Sequence, residues 1–204
     1  MVSDNDLFVI AGATAVAGIA AVYLLWPSSN YPTDDTDGPG PNLVIQVAGE
    51  TNGIFVIDLD EDVAPAHADR LVEISKAGLY DGVAFHRVID GFMAQTGDVQ
   101  NGVLGGDLSM AGTGGSELGD IPAEFSDLPF ERGVVGMARA QNPDSANSQF
   151  FIMLEPGYFL NGDYTVVGEI TEGMDIVDAI KRGTGANGAV IGQPDVMSEV
   201  RVTE

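Results

Sequence analysis

The sequence predicts a mainly β domain, a barrel or sandwich plugged by two helices, standing behind an N-terminal extension of different character. Three observations carry this. The 27 glycines break the chain with turns. Between them, apolar residues come in short runs of strand length. Two stretches show helical spacing with start and stop signals.

The extension comes first. Residues 1–6 (MVSDND) form an acidic tail. Leu7 to Trp26 is 20 residues long and uncharged, and a helix of that length spans about 30 Å, the thickness of a bilayer core. Tyr23 and Trp26 end it where aromatic rings favour the membrane interface. Residues 7–26 therefore read as a single transmembrane helix. The rival reading is a secretion signal removed after export, which the many Ala and Gly residues permit and the acidic residues ahead of the run oppose. The first basic residue is Arg70, so flanking charge does not orient the segment. The default for a short tail and one apolar run places the following domain outside the cytoplasm. The expectation is a membrane-anchored, single-pass protein with a periplasmic domain, the alternative a soluble exported one. Residues 27–42, rich in Pro, Gly, Ser and Asp, read as a disordered linker reaching roughly 20–24 Å.

The domain occupies residues 43–204. Leu43–Val47 and Ile54–Leu59 are predicted strands around a turn at Gly49–Gly53. Pro65 suits the first position of a helix. Ala64, Ala68, Leu71, Val72 and Ser75 then share one face, and Gly78 ends it. Short apolar runs and Gly-rich turns continue from Val83 to Val167. A second helix is predicted over Met174–Arg182, with Lys181 and Arg182 suiting its C-terminal dipole and Gly183 as its cap. Val196–Val202 is a closing strand.

The formal charge is −23, and residues 43–204 hold 26 of the 31 acidic residues and all 8 basic ones. Such a surface repels phosphate backbones, so no nucleic-acid partner is expected. There is no cysteine and there are only two histidines, His67 and His86, so neither a metal nor another cofactor is expected.

Three segments concentrate unusual residues. Phe85-His86-Arg87-Val88-Ile89-Asp90-Gly91-Phe92-Met93-Ala94-Gln95-Thr96-Gly97-Asp98 sets an Arg and a Gln among large apolar side chains. Met137-Ala138-Arg139-Ala140 precedes Ser145-Ala146-Asn147-Ser148-Gln149-Phe150-Phe151-Ile152. Tyr158-Phe159-Leu160-Asn161-Gly162-Asp163-Tyr164 follows. Ser148, His86 and Asp98 do not make a hydrolase triad, since no nucleophile-elbow pattern surrounds any serine. Gly112–Gly115 lacks the lysine of a phosphate loop.

The first segment resembles the cyclophilin signature F-H-R-[VI]-I-x-x-F-M-x-Q-x-G-D at every fixed position, and the second resembles its bacterial form. Gly112-Thr113-Gly114-Gly115, Tyr80-Asp81-Gly82 and Gly168-Glu169 fit the same family, over about residues 43–204. The resemblance implies a closed eight-stranded antiparallel β-barrel capped by two α-helices, with peptidyl-prolyl cis-trans isomerase activity on proline-containing polypeptides in a groove on its outer surface. Carried over by position, Arg87 is the catalytic arginine and Gln95 positions it. Phe92, Met93, Phe151 and Leu160 form the proline pocket, and Gln149, Ala138 and Arg139 line the path of the preceding residue. Phe159, Tyr164 and Arg139 stand where many eukaryotic members carry Trp, His and Asn; without the indole N–H, cyclosporin binding is expected to be weak. Arg70-Leu71 replaces a usual Asn-Phe, read as a core position. A monomer is expected.

The chemistry follows from the reaction. Resonance makes X–Pro bonds rotate slowly, over a barrier of about 18–20 kcal/mol. A donor that localises the lone pair on the prolyl nitrogen removes that resonance, and no nucleophile, base or metal is required. The alternative is a non-catalytic module that holds proline peptides, as a scaffold or chaperone; Arg87 together with its apolar pocket distinguishes the enzyme.

Overall fold

The computed structural model describes residues 40–203. The tail, the apolar segment 7–26 and most of the linker lie outside the described residues. Among the described residues, no helix is long and apolar enough to cross a membrane; the membrane helix expected over residues 7–26 falls outside them.

The chain runs β1 (Asn42–Ala48), β2 (Gly53–Leu59), α1 (Pro65–Lys76), β3 (Val83–Ala84), β4 (Arg87–Ile89), β5 (Met93–Thr96), β6 (Val134–Met137), β7 (Phe150–Met153), β8 (Val166–Glu172), α2 (Met174–Ala179) and β9 (Val196–Thr203). The strands form one antiparallel sheet in the order β3-β9-β1-β2-β8-β6-β7-β5-β4. This corrects the closed eight-stranded barrel. The sheet has nine strands and curls, but remains open between β3 and β4.

The reason is that other segments occupy both free edges. Along β3, Val83 bridges to Val103, and the Ala84 N–H donates to the Gly102 carbonyl at 2.8 Å. Along β4, Gly183 N donates to Val88 O at 2.9 Å and Val190 N to His86 O at 3.0 Å. The edge groups that would have closed the ring are thus satisfied by loops. Register shifts at Gln46/Val47, Val56/Ile57 and Val135/Gly136 bend the strands and curl the sheet.

Period-two alternation divides β5, β6, β7 and β8 between two apolar clusters. One contains Leu43, Ile45, Phe55, Ile57, Val88, Ala94, Val135 and Ile152, together with Ala68, Leu71 and Ile74 of α1 and Val177 of α2. This is the main core. A second, smaller cluster contains Met93, Phe130, Val134, Phe151, Met153, Leu160 and Val166. It lies on the opposite face of β5–β7, and the candidate site grows from it.

Helix α1 begins at Pro65 and buries Ala68, Leu71 and Ser75 as the sequence predicts, together with His67 and Ile74. Its N-cap Ala64 offers no side-chain acceptor. The carboxylate of Glu124 does that work from a distant loop, accepting from Ala66 N and His67 N at 3.3 and 3.2 Å and from His67 Nδ1 at 2.7 Å. Leu71 is core, but Arg70 is not. Its guanidinium donates to the carbonyls of Gly119 and Leu118, latching a loop across the helix. Helix α2 stops three residues before the predicted end, at Ala179. The buried carboxylate of Asp195 takes the Lys181 N–H at 2.8 Å and pulls the chain off the helical path. Gly183, the predicted cap, bonds to β4 instead.

Candidate active site

Antiparallel pairing sets the geometry. Arg87 of β4 lies opposite Gln95 of β5, Gln95 opposite Phe151 of β7, and Phe151 opposite Gly136 of β6. These four positions form one row across the sheet and share one face. Two residues along, Ile89, Met93 and Met153 form the next row. A cation and an amide thus stand beside an apolar floor because the strands place them there.

Gly136 is what admits the floor. A methyl group at that position would sit 2.5 Å from Phe151 Cζ and 2.6 Å from Phe130 Cε1, inside van der Waals contact. Phe151 stacks on Phe130 with ring centres 5.7 Å apart and meets Tyr164 edge-on at 5.8 Å. Phe92 and Phe159 lean together at 5.4 Å, and Phe159 is 72% exposed. The turn after Gly157, Tyr158–Leu160, brings Phe159 and Leu160 to the rim.

The result is a hollow of about 310 Å³ lined by Arg87, Phe92, Met93, Gln95, Ala138, Arg139, Phe151, Phe159, Leu160 and Tyr164. Every site residue inferred from the sequence lines it except Gln149, which stands behind Gln95. Arg139 is folded back, its guanidinium 4.5 Å from the centre of the Tyr164 ring and donating to Asp163 O at 2.9 Å. It forms a wall of the hollow.

The Arg87 guanidinium is held by neutral acceptors. Nη1 donates to Gln95 Oε1 at 3.1 Å and rests 3.8 Å from Met93 Sδ. On the other side Nε donates to Asn187 O at 2.9 Å and Nη2 to Asn187 Oδ1 at 3.2 Å. Among the described residues, no carboxylate forms an ion pair with it. Burial holds its pKa below the ordinary arginine value, with Tyr164 opposing, and an arginine so placed stays charged at neutral pH. The cation is exposed to the hollow and its charge is not neutralised.

A chain of amides orients Gln95. Gln149 Nε2 donates to the Gly114 carbonyl at 2.8 Å, so its Oε1 faces Gln95 and accepts from Gln95 Nε2 at 2.9 Å. Gln95 must then turn Oε1 toward Arg87. The Gly114 loop is itself pinned by buried Asp98, whose carboxylate accepts from Gly112 N at 2.7 Å and Gly114 N at 2.9 Å. Ser148 is buried and donates to Gly97 O, which leaves it no nucleophilic role. His86 is largely buried, and desolvation lowers its pKa against the opposing pull of Asp98.

Asn187 escapes the sequence reading. Its signal is the Asn187-Gly188 dipeptide, the mark of a tight turn with left-handed backbone. A larger hollow of about 690 Å³ opens elsewhere, lined by Asp58, Asp60, Glu61, Asp62, Glu131 and Glu169 around Leu59 and Val166. It has no cation among its lining residues, so the chemistry described above has no donor there.

Comparison with known proteins identifies the family. Residues 43–202 match the family model described as cyclophilin type peptidyl-prolyl cis-trans isomerase/CLD. A probable peptidyl-prolyl cis-trans isomerase of Brucella suis is 56% identical over 146 residues, 71% of this chain and 74% of that protein. The isomerase cyp18 of Streptomyces antibioticus is 36% identical over 138 residues, 63% of this chain and 78% of that one. In fold, a cyclophilin-type isomerase of Cryptosporidium parvum superposes with a TM-score of 0.67 at 22% identity, covering 80% of this chain and 97% of that one. The cyclophilin AquaCyp293 of Hirschia baltica gives 0.63 at 23% identity, covering 78% and 73%. The chain belongs to the cyclophilin-type peptidyl-prolyl cis-trans isomerases and is an enzyme of that class.

Proposed function

We propose that this isomerase turns X–Pro bonds of folding polypeptide clients by a hydrogen bond from Arg87 to the prolyl nitrogen, formed only as the bond twists. The proline ring sits on Phe92, Met93, Phe151 and Leu160, which hold it while the acyl side rotates. Twisting makes the nitrogen pyramidal and localises its lone pair, creating an acceptor that the planar ground state lacks. A donor aimed at that acceptor binds the transition state alone. An acceleration of about 10⁵-fold needs roughly 7 kcal/mol. One charge-assisted hydrogen bond in a desolvated groove, with the ring pre-oriented, is of that order.

The observation that carries the reading is the Arg87 guanidinium on the wall of a hollow floored by Met93 and Phe151, held by Gln95 and Asn187 and, among the described residues, neutralised by no carboxylate. The test is a protease-coupled isomerisation assay of Arg87→Ala on a proline peptide, with the peptide dissociation constant measured alongside. The enzyme reading requires turnover to fall at least 100-fold while binding changes less than threefold. A non-catalytic scaffold would bind the peptide and show no turnover for the substitution to remove.

The protein acts as a monomer in this reading. Cyclosporin binds weakly, because Phe159 offers no indole N–H at the rim. The apolar run Leu7–Trp26 supports a place of action outside the cytoplasm, tested by protease access to the domain in intact cells.

A further inference from the structure

We propose that Asn187 is a positioning residue for Arg87, and that the turn it occupies governs turnover without governing the hold on the peptide. The proposal rests on the reading of Arg87 above.

The chain makes a type I′ turn here. Asn187 has φ 53° and ψ 31°, Gly188 has φ 76°, and Ala189 N donates to Ala186 O at 3.2 Å. Asn187 is the sole non-glycine residue with positive φ among the described residues. A residue with a Cβ is disfavoured in that region, and glycine is the unstrained choice. The place where the chain accepts this conformation is the place where it touches the guanidinium.

The turn is fixed tightly to β4. Ala189 bridges to Arg87, with Val190 N on His86 O and Gly183 N on Val88 O on either side of that bridge. Gly188 packs so closely that a Cβ there would lie 2.3 Å from Ile89 Cγ1. In this seat Asn187 offers two acceptors to one guanidinium, its carbonyl to Nε at 2.9 Å and Oδ1 to Nη2 at 3.2 Å. With Gln95 on Nη1, the plane of the cation is fixed at three atoms. A carboxylate would hold it as firmly but neutralise its charge. An asparagine orients it and leaves the charge for the reaction.

None of the proline-pocket residues Phe92, Met93, Phe151 and Leu160 hydrogen-bonds Asn187, so ground-state binding is insulated from it. The hydrogen bond to the prolyl nitrogen exists only in the transition state, and misaiming the donor affects that state alone.

The experiment is Asn187→Gly in the full chain, which keeps the turn and its carbonyl and removes only the side-chain acceptor. We expect kcat to fall about five- to tenfold with KM within twofold and the melting temperature unchanged. Nitrogen NMR of the Arg87 guanidinium should show faster rotation about its Cζ–N bonds. Wild-type kcat, a loss carried by KM, or unaltered guanidinium rotation would overturn the proposal. Arg87→Ala, assayed in parallel, separates the two ideas: if it turns over normally, the reading of Arg87 falls and this one with it. If Arg87→Ala is slow and Asn187→Gly is fast, only the positioning role is lost.

Discussion

Replacing Gln149 by leucine isolates the amide chain that aims Arg87 from its other side. Leucine has a similar volume but can neither donate to Gly114 O nor accept from Gln95 Nε2, so two hydrogen bonds of 2.8 and 2.9 Å disappear together. The Gly114 carbonyl lies in a partly buried loop and loses its side-chain donor; leaving such a group unmade costs about 1–3 kcal/mol, with the lower end appropriate where water can reach it. For a domain of this size that lowers the melting temperature by about 2–12 °C, the lower end applying here. The catalytic effect is separate. Freed of its partner, the Gln95 side chain is held only by the Arg87 guanidinium itself and is no longer fixed in the rotamer that presents Oε1 to it. Losing the oriented acceptor on Nη1 should cost about 1 kcal/mol of transition-state stabilisation, or roughly fivefold in kcat/KM. Protease-coupled isomerisation of a proline peptide and a thermal melt read the two effects. If kcat/KM stays within 1.5-fold of wild type while the melt shifts, the chain supports the loop but does not aim Arg87, and the reasoning fails.

Gly136→Ala forces a methyl group against Phe151 and Phe130; overpacking should destabilise by about 1–3 kcal/mol, and calorimetry should show it alongside weaker peptide binding. Phe92→Ala removes the partner of Phe159 and one wall of the pocket, so both KM and kcat should suffer; unchanged kinetics would place Phe92 outside the groove. Phe159→Trp adds an N–H at an exposed rim position and should strengthen cyclosporin binding at least tenfold by titration calorimetry. His86 has a folded pKa below its ordinary value of 6.5 because it is buried, so the unfolded chain takes up a proton first as pH falls. Its stabilising contribution is complete above about pH 6.5 and is lost progressively as pH drops toward the folded pKa. Denaturant unfolding of wild type and His86→Gln over pH 5–8 should diverge in that direction, and parallel curves would refute it.

The parts of the fold that were legible in the sequence are local. The β4–β5 hairpin places Arg87 opposite Gln95 within eight residues, so a motif read along the chain already holds a spatial pair. Helix α1 announces itself through Pro65 and the spacing of Ala68, Leu71 and Ser75. What could not be read depends on groups outside the element concerned. Helix α2 ends early because the side chain of Asp195, 14 residues further on, captures the Lys181 N–H. The barrel stays open because residues 102–104 and 183–190 occupy the edges of β3 and β4. No periodicity within those strands encodes this. At the site, Phe151, Leu160 and Tyr164 join Arg87 through strand pairing and one turn, and without a resemblance they read as ordinary core residues. Gln149 carries an amide orientation, a property set by the carbonyl of Gly114. Asn187 was within reach, since an Asn-Gly pair marks a turn, but nothing in the chain says which side chain that turn will meet.

The most direct test of Arg87 as the group that lowers the barrier is NMR exchange spectroscopy on a proline peptide held on the enzyme, comparing wild type with Arg87→Ala. The on-enzyme cis–trans rate should fall at least 100-fold at equal bound fraction and with an unchanged spectrum of the core. A rate within threefold of wild type at the same occupancy would mean that the pocket alone does the work and that the cation is not what turns the bond.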